Sequence, residues 1–192
     1  SYPDFTTASQ DVLKLLSDRV RFNLWMVTRV SGDDWIVLQA EDRGYRVKSG
    51  DIFSWADSFC SEMVQGRGPC VAPNALQVLT YRNAAINQRV QIAAYIGLPL
   101  CDRHGNLFGT LCGIHPTPFP SELEAELPLF QVLAKLLGSL LDAELQSQQE
   151  SRRAERAEAE AQTDALTGLY NRRGWDKLLA LEEKRCQQLG LA

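Results

Sequence analysis

From Ser121 to about Ala165 the sequence reads as one unbroken helix of roughly 45 residues, about 65 Å long. No compact domain can cover an element of that length, so the chain is expected to divide into a packed body and a rod that leaves it. Ser121 and Glu124 have the spacing of a capping box at its start. Leu129, Leu133, Leu136, Leu140 and Ala143 recur at alternating spacings of four and three, and Ser147, Glu150, Ala154, Ala157 and Ala161 continue the frame. That is a heptad seam, apolar in its first half and alanine-based in its second. Leu137 and Leu141 fall beside the stripe, on the side available to the first helix or the sheet. Residues 146–162 hold almost nothing to bury within one chain, which predicts a parallel homodimer along the rod. The alternative is an ordinary amphipathic helix with a solvated end, supported by pairs such as Arg156 with Glu160 at about 0.2–0.5 kcal/mol. Ser147 and Glu150 make the second half of the seam marginal, as a bistable element requires.

The rod ends in Thr163-Asp164-Ala165-Leu166-Thr167-Gly168-Leu169-Tyr170-Asn171-Arg172-Arg173. Gly168 can take the positive φ that terminates a helix, and Asn171 can cap a new one starting at Arg172. Trp175, Leu178 and Leu179 then fall on one side of a last helix with no sheet of its own to pack upon.

The body reads in order as helix, hairpin, helices, hairpin. Val12, Leu13, Leu16 and Val20 keep helical spacing from about Thr6, where Thr6, Thr7 and Ser9 offer caps. Residues 22–30 and 35–40 are β-formers around the turn Ser31-Gly32-Asp33-Asp34. Residues 41–54 are loosely patterned. A helix is expected over 55–64, a short strand at 70–72 and a short helix over 75–81. The clearest strand pair is Ile92–Leu100 with Leu107–Ile114, in which Gly109 and Gly113 suggest close approach of a helix or ligand.

With a net charge of −4 and no basic block, nucleic acid and anionic lipid are poor partners. No apolar run approaches the ~20 residues of a membrane span. Five scattered cysteines fit a reducing compartment better than a disulfide framework, so the chain reads as soluble and cytoplasmic. Ser1-Tyr2-Pro3 reads as a cut boundary, which leaves room for upstream segments.

Two resemblances organise these observations. Asp164, Leu166, Thr167, Gly168, Leu169, Asn171, Arg172 and Arg173 spell a run that resembles the start of the GGDEF domain of diguanylate cyclases, which condense two GTP into cyclic di-GMP. The resemblance covers about the last thirty residues, and the residues for GTP and Mg²⁺ would lie beyond Ala192; this chain alone is expected to be inactive and to need no cofactor. The order of elements over residues 6–145, and above all Phe108-Gly109-Thr110-Leu111-Cys112-Gly113-Ile114, resembles a GAF domain. That implies an α+β fold: a central antiparallel sheet flanked by helices, with the first and last helices on one face and a small-molecule pocket on the other, followed by a long C-terminal coiled-coil helix. The expected division is a sensor over 1–140, a signalling helix over 141–165 and a truncated GGDEF start over 166–192. The parts together imply the regulatory, dimerising module of a diguanylate cyclase, carrying a small-molecule or redox signal along the rod.

Trp25, Phe59, Cys60, Met63, Tyr81 and Tyr95 are the pocket candidates, although such residues serve more often as plain core. Cys60 and Cys70 flank Gly66-x-Gly68 and resemble a stretch of the GAF-type free methionine sulfoxide reductases, which makes the pair a redox candidate. The nucleophilic cysteine of that family follows an Ile-Ala pair. Here Ile92-Ala93 is followed by Ala94, and without a thiolate there is no nucleophile. A ligand-free dimerisation module is the other alternative. Cys101-x-x-His104 and Cys112-x-x-His115 look like ligand pairs, but residue 112 lies too far along its strand from the turn for a shared metal. No Cys-His dipeptide, the bilin attachment motif of related GAF domains, occurs, and neither does the Asn-Lys-x-x-x-Phe-x-x-x-Asp-Glu motif of cyclic-nucleotide GAF domains.

Overall fold

A computed structural model of the protein describes residues 4–164 and 166–189. Ser1-Tyr2-Pro3 and Ala165, the expected end of the rod, lie outside the described residues. The chain forms two units, Ser1–Glu144 and Leu145–Ala192.

The first unit is built on one six-stranded antiparallel sheet of order β3-β2-β1-β6-β5-β4. Its strands are β1 (Leu24–Ser31), β2 (Asp34–Asp42), β3 (Ile52–Ser54), β4 (Val71–Ala72), β5 (Ala94–Cys101) and β6 (Leu107–His115). Both predicted hairpins form, and β1 joins them by pairing Leu24 with Ile114 and Arg29 with Gly109. Strand side chains alternate between faces, and here both faces are apolar. Trp25, Val27, Ile96, Leu98 and Leu111 point to one layer; Leu24, Met26, Tyr95, Cys112 and Ile114 point to the other.

The first layer is covered by α1 (Phe5–Arg19) and the start of α4 (Leu127–Gln162). Asp4, rather than Thr6, Thr7 or Ser9, caps α1: its Oδ1 accepts from the Thr7 amide at 2.7 Å. No capping box forms at Ser121. Residues Ser121–Glu126 are a 3-10 helix entered from Pro120 without a side-chain cap, and the α-helix begins six residues later than the spacing predicts. Pro120 is extended at this entry (φ −60°, ψ 150°), and Arg19 grips Glu126 through two bonds of 2.7 and 3.0 Å, setting the start of α4 against the end of α1. Helix α4 runs 36 residues, about 54 Å. It buries Phe130, Ala134, Leu137 and Leu141.

The second layer has no long helix. Helix α2 (Phe59–Val64), capped by Ser58, the single-turn α3 (Leu79–Arg82) and two 3-10 turns cover it. These segments are shorter than the helices expected over 55–64 and 75–81. Strand β3 is a three-residue exposed edge with no alternation to announce it. The groups that crowd the β6 glycines come from the neighbouring strand and from aromatic rings rather than from a helix. A Cβ at Gly109 would lie 1.8 Å from the Thr28 carbonyl oxygen of β1, and one at Gly113 would strike the Trp25 and Phe22 rings.

In the second unit the rest of α4, a turn and α5 (Arg172–Leu189) follow one another. Gly168 takes φ +70°. Asp164 Oδ1 accepts from the amides of Leu166 and Thr167 and from the Thr167 hydroxyl, and these bonds hold its carboxyl below the usual range. Asn171 caps α5 by accepting from the Gly174 amide at 3.0 Å, while its Nδ2 donates to the Ala161 carbonyl at 2.9 Å. Among the described residues no helix is long and apolar enough to cross a membrane.

Gly109→Ala should lose about 3 kcal/mol of stability or fail to fold, because a methyl there meets backbone that cannot rotate away. Urea denaturation followed by circular dichroism checks it; an unchanged midpoint would mean that β1 and β6 do not approach so closely.

Candidate functional site

Five of the six pocket candidates come together on the second layer, where they pack against one another and fill part of it. Phe59 stacks on Tyr81 at 4.7 Å between ring centroids, and Tyr95 meets both edge-on at 5.5 and 5.0 Å. Cys60 and Met63 complete this buried group. Trp25 stands on the other face of the sheet, stacked on Phe22 with its indole N–H donating to the Val20 carbonyl at 3.0 Å. Strand parity separates it from Leu24 and Met26.

A chain of buried polar contacts crosses this layer. The Trp35 indole N–H donates to Thr28 Oγ1 at 2.8 Å, and Thr28 Oγ1 lies 2.8 Å from Thr110 Oγ1. Thr110 contacts the Cys112 thiol, Cys112 is hydrogen-bonded to Cys60, and Tyr95 Oη donates to Cys60 Sγ at 3.3 Å. Burial holds the Cys112 thiol well above its ordinary range, and the Tyr95 phenol likewise. Burial also opposes ionisation of Cys60, but the bonds it makes with Cys112, Thr110 and Tyr95 bring it down on balance. The thiol beside Cys60 is thus that of Cys112. Cys70 is free and half-buried, and burial pushes its thiol up. Ala94 is buried on the α1/α4 side.

Beside the aromatic group the layer stays open. A cleft of about 400 Å³ is floored by Leu24, Met26, Trp35 and Ile114. Tyr45, Arg46 and Val47 form one wall; Ile86, Arg89 and Val90 form another. Asp42 builds the first wall: its carboxylate accepts from the amides of Gly44, Tyr45 and Arg46 at 3.1, 2.8 and 2.6 Å. Tyr45 Oη donates to the Gln91 carbonyl at 2.8 Å and ties the two walls together. Burial, with the Asp42 charge second, pushes the Tyr45 phenol up to about 12, so it is a donor throughout the neutral range. These wall residues escaped sequence reasoning. The signal present was the Asp-x-Gly-Tyr-Arg turn at 42–46, whose aspartate can bond to amides just after it.

Among the described residues no cluster of three or more His, Cys, Asp or Glu side chains could hold an ion. His104 is exposed in the β5–β6 turn. His115 ends β6 between Phe22 and Phe119, and burial lowers its pKa.

A GAF domain family model matches residues 4–141. The chain belongs to the GAF domain family. The fold is similar to that of the GAF domain of PixJ from Thermosynechococcus elongatus in its blue-light absorbing form (12% identity over 79% of this chain and 93% of that one, TM-score 0.61). It is also similar to the GAF domain of an Acinetobacter phosphoenolpyruvate-protein phosphotransferase (13%, 72% and 82%, 0.57). A third similar structure is a free methionine-R-sulfoxide reductase from Neisseria meningitidis in complex with its substrate (15%, 77% and 83%, 0.59). At these identities the likeness speaks for the fold alone. No curated protein sequence matches the chain.

Thiol accessibility tests the placement of the cysteines. Exposed Cys186 should react first with a thiol reagent in the native protein, while Cys60 and Cys112, about 1% and 0% exposed, should react only on unfolding. Peptide mapping after timed labelling reads the order, and early loss of the Cys60 thiol would contradict the packing described.

Proposed function

We propose that this GAF domain is the sensory and dimerising input of a diguanylate cyclase. A small molecule in the second-layer cleft biases the pairing of two α4 helices, and those helices set how two GGDEF domains meet. On this reading the protein is cytoplasmic, residues 1–140 sense, 141–165 transmit and 166–192 begin the catalytic domain. GTP and Mg²⁺ are bound by the remainder of that domain. The 192-residue chain is itself inactive.

The observation that carries the reading is the division of labour along α4. Its own domain buries Phe130, Ala134, Leu137 and Leu141, whereas Leu129, Leu133 and Leu140 are only partly covered and Leu136 is 56% exposed. Leu133, Leu136 and Leu140 line an apolar groove of about 540 Å³ with Val12 and Leu15 of α1. Ala143, Ala154, Ala157 and Ala161 continue the same stripe, exposed. A second copy aligned in parallel along this seam covers it. For the catalytic assignment the support is the motif itself: Asp164, Thr167, Gly168 and Asn171 shape the joint, and Leu166 and Leu169 are left 96% and 68% exposed. Leucines so placed are what a larger domain would cover.

The redox alternative has less behind it, since Cys60 and Cys112 are sealed under the aromatic group and Cys70 is a free, half-buried thiol. A ligand-free module has the filled aromatic group in its favour, and the open cleft beside it against.

Two measurements test the proposal. Sedimentation should find a dimer at micromolar concentration, and Leu136→Glu, at an exposed site that leaves the domain core intact, should weaken it at least about a hundredfold, since a charge would be buried at the seam. A monomeric wild-type chain removes the transmission route. A polypeptide that also carries the residues following position 192 should convert GTP to cyclic di-GMP with Mg²⁺; no product from such a protein would end the cyclase assignment.

A further inference from the structure

We infer that the cleft takes a small organic carboxylate with a flat apolar body, its carboxylate gripped by Arg46; the inference rests on reading this cleft as the sensory pocket. Four charged side chains border it: Arg46, Asp51, Asp57 and Arg89. Three are already engaged. Asp57 and Arg89 pair with each other at 3.8 Å, and Asp51 Oδ2 accepts from the Lys48 amide at 2.9 Å. The Arg46 guanidinium has no partner among the described residues, although its backbone is the most constrained in the wall. Arg46 takes φ +62°, the left-handed region that favours glycine, and its amide donates to Asp42 Oδ2 at 2.6 Å. Backbone strain of this kind persists only where surrounding bonds impose it, and here those bonds fix the backbone that carries an uncommitted cation at the rim of an apolar cleft.

The rest of the lining narrows the ligand. Trp35, Met26, Leu24 and Ile114 floor the cleft, and the indole of Trp35 is held by Thr28. A rigid floor of an aromatic ring and a thioether favours a planar hydrocarbon body. About 400 Å³ is at the lower end of the ~300–1,000 Å³ usual for small-ligand sites. A guanidinium fork matches a carboxylate in two parallel bonds. A phosphate dianion fits less well, because Asp51 and Asp57 stand in the same walls with only one cation free to oppose them.

The test uses a matched pair of probes, 2-naphthylacetate and its neutral amide, with the ¹³C-methyl signals of the two methionines as readout. Met26 lines the cleft, and Met63 is sealed in the aromatic group as a reference for the fold. The acid should shift the Met26 signal and bind about tenfold more tightly than the amide. Arg46→Gly, which accepts the same φ without strain, should bring the acid down to the affinity of the amide and leave the amide unchanged. Arg46→Asn, also tolerant of that φ, guards against an effect special to glycine. Equal affinities for acid and amide, or indifference of the acid to both substitutions, overturn the carboxylate assignment while leaving an apolar sensory cleft in place. If neither probe moves the Met26 signal, both the assignment and the cleft as a sensory pocket fall.

Discussion

Everything in the first unit depends on a sheet that is apolar on both faces and must be covered on both. The central pair β1 and β6 approach so closely at Gly109 and Thr28 that no side chain fits between them. Two long helices from opposite ends of the body cover one face, and each offers a continuous apolar stripe. The segments between β2 and β5 must cover the other, and they are short: a six-residue helix, one turn of α3 and 3-10 turns. Short segments cannot present a continuous stripe, so they seal part of the face with aromatic bulk and leave the rest as a cleft. The site is thus a consequence of how the two coverings differ in regularity.

That incompletely covered face still has to keep its polar groups paired. Indole, hydroxyl and thiol groups buried without partners would each cost free energy. The run from Trp35 through Thr28, Thr110, Cys112 and Cys60 to Tyr95 meets this need with groups from β2, β1, β6, α2 and β5. A one-residue slip of any of these strands would turn its members to the opposite face and break the chain of contacts. The same bonds that satisfy buried atoms therefore fix the register of the sheet and the orientation of the cleft floor. A floor held in this way would need little further ordering on binding the ligand proposed above, which would lower the cost of binding.

Much of this was legible from residues alone, and the gaps have physical reasons. Both hairpins announce themselves through β-forming runs around polar turns, and the α4 joint through Gly168 and Asn171, whose backbone roles the structure realises. Local chemistry carried these features. Which face Trp25 takes was not local: residues 24–27 are apolar without interruption, so only the choice of partners on each side decides it. The start of α4 differs from the expectation in a similar way: the capping pattern at Ser121 is local, but the segment Ser121–Glu126 forms a 3-10 helix whose Glu126 is held by Arg19 of α1. The cleft walls lay in residues 41–54 and 84–91, where periodicity is absent. They are organised by Asp42 on amides and by Tyr45 reaching Gln91, contacts that no repeat in the sequence reports.

Helix α4 shows how one element can serve two coverings. Its core stripe and its seam are displaced by a single residue, Phe130 beside Leu129 and Leu137 beside Leu136, which is about 100° around the helix. Two stripes at that angle cannot both face the same sheet. One is satisfied by the domain and ends at Leu141. The other begins in the groove beside α1, where apolar side chains are already half-covered, and continues as alanines where its own domain offers no cover. Leucine near the body and alanine farther along grade the seam from firm to weak, because apolar area per residue falls along it. In the dimer proposed above, such a grading would let the pairing change at the far end of α4 without unfolding the near one.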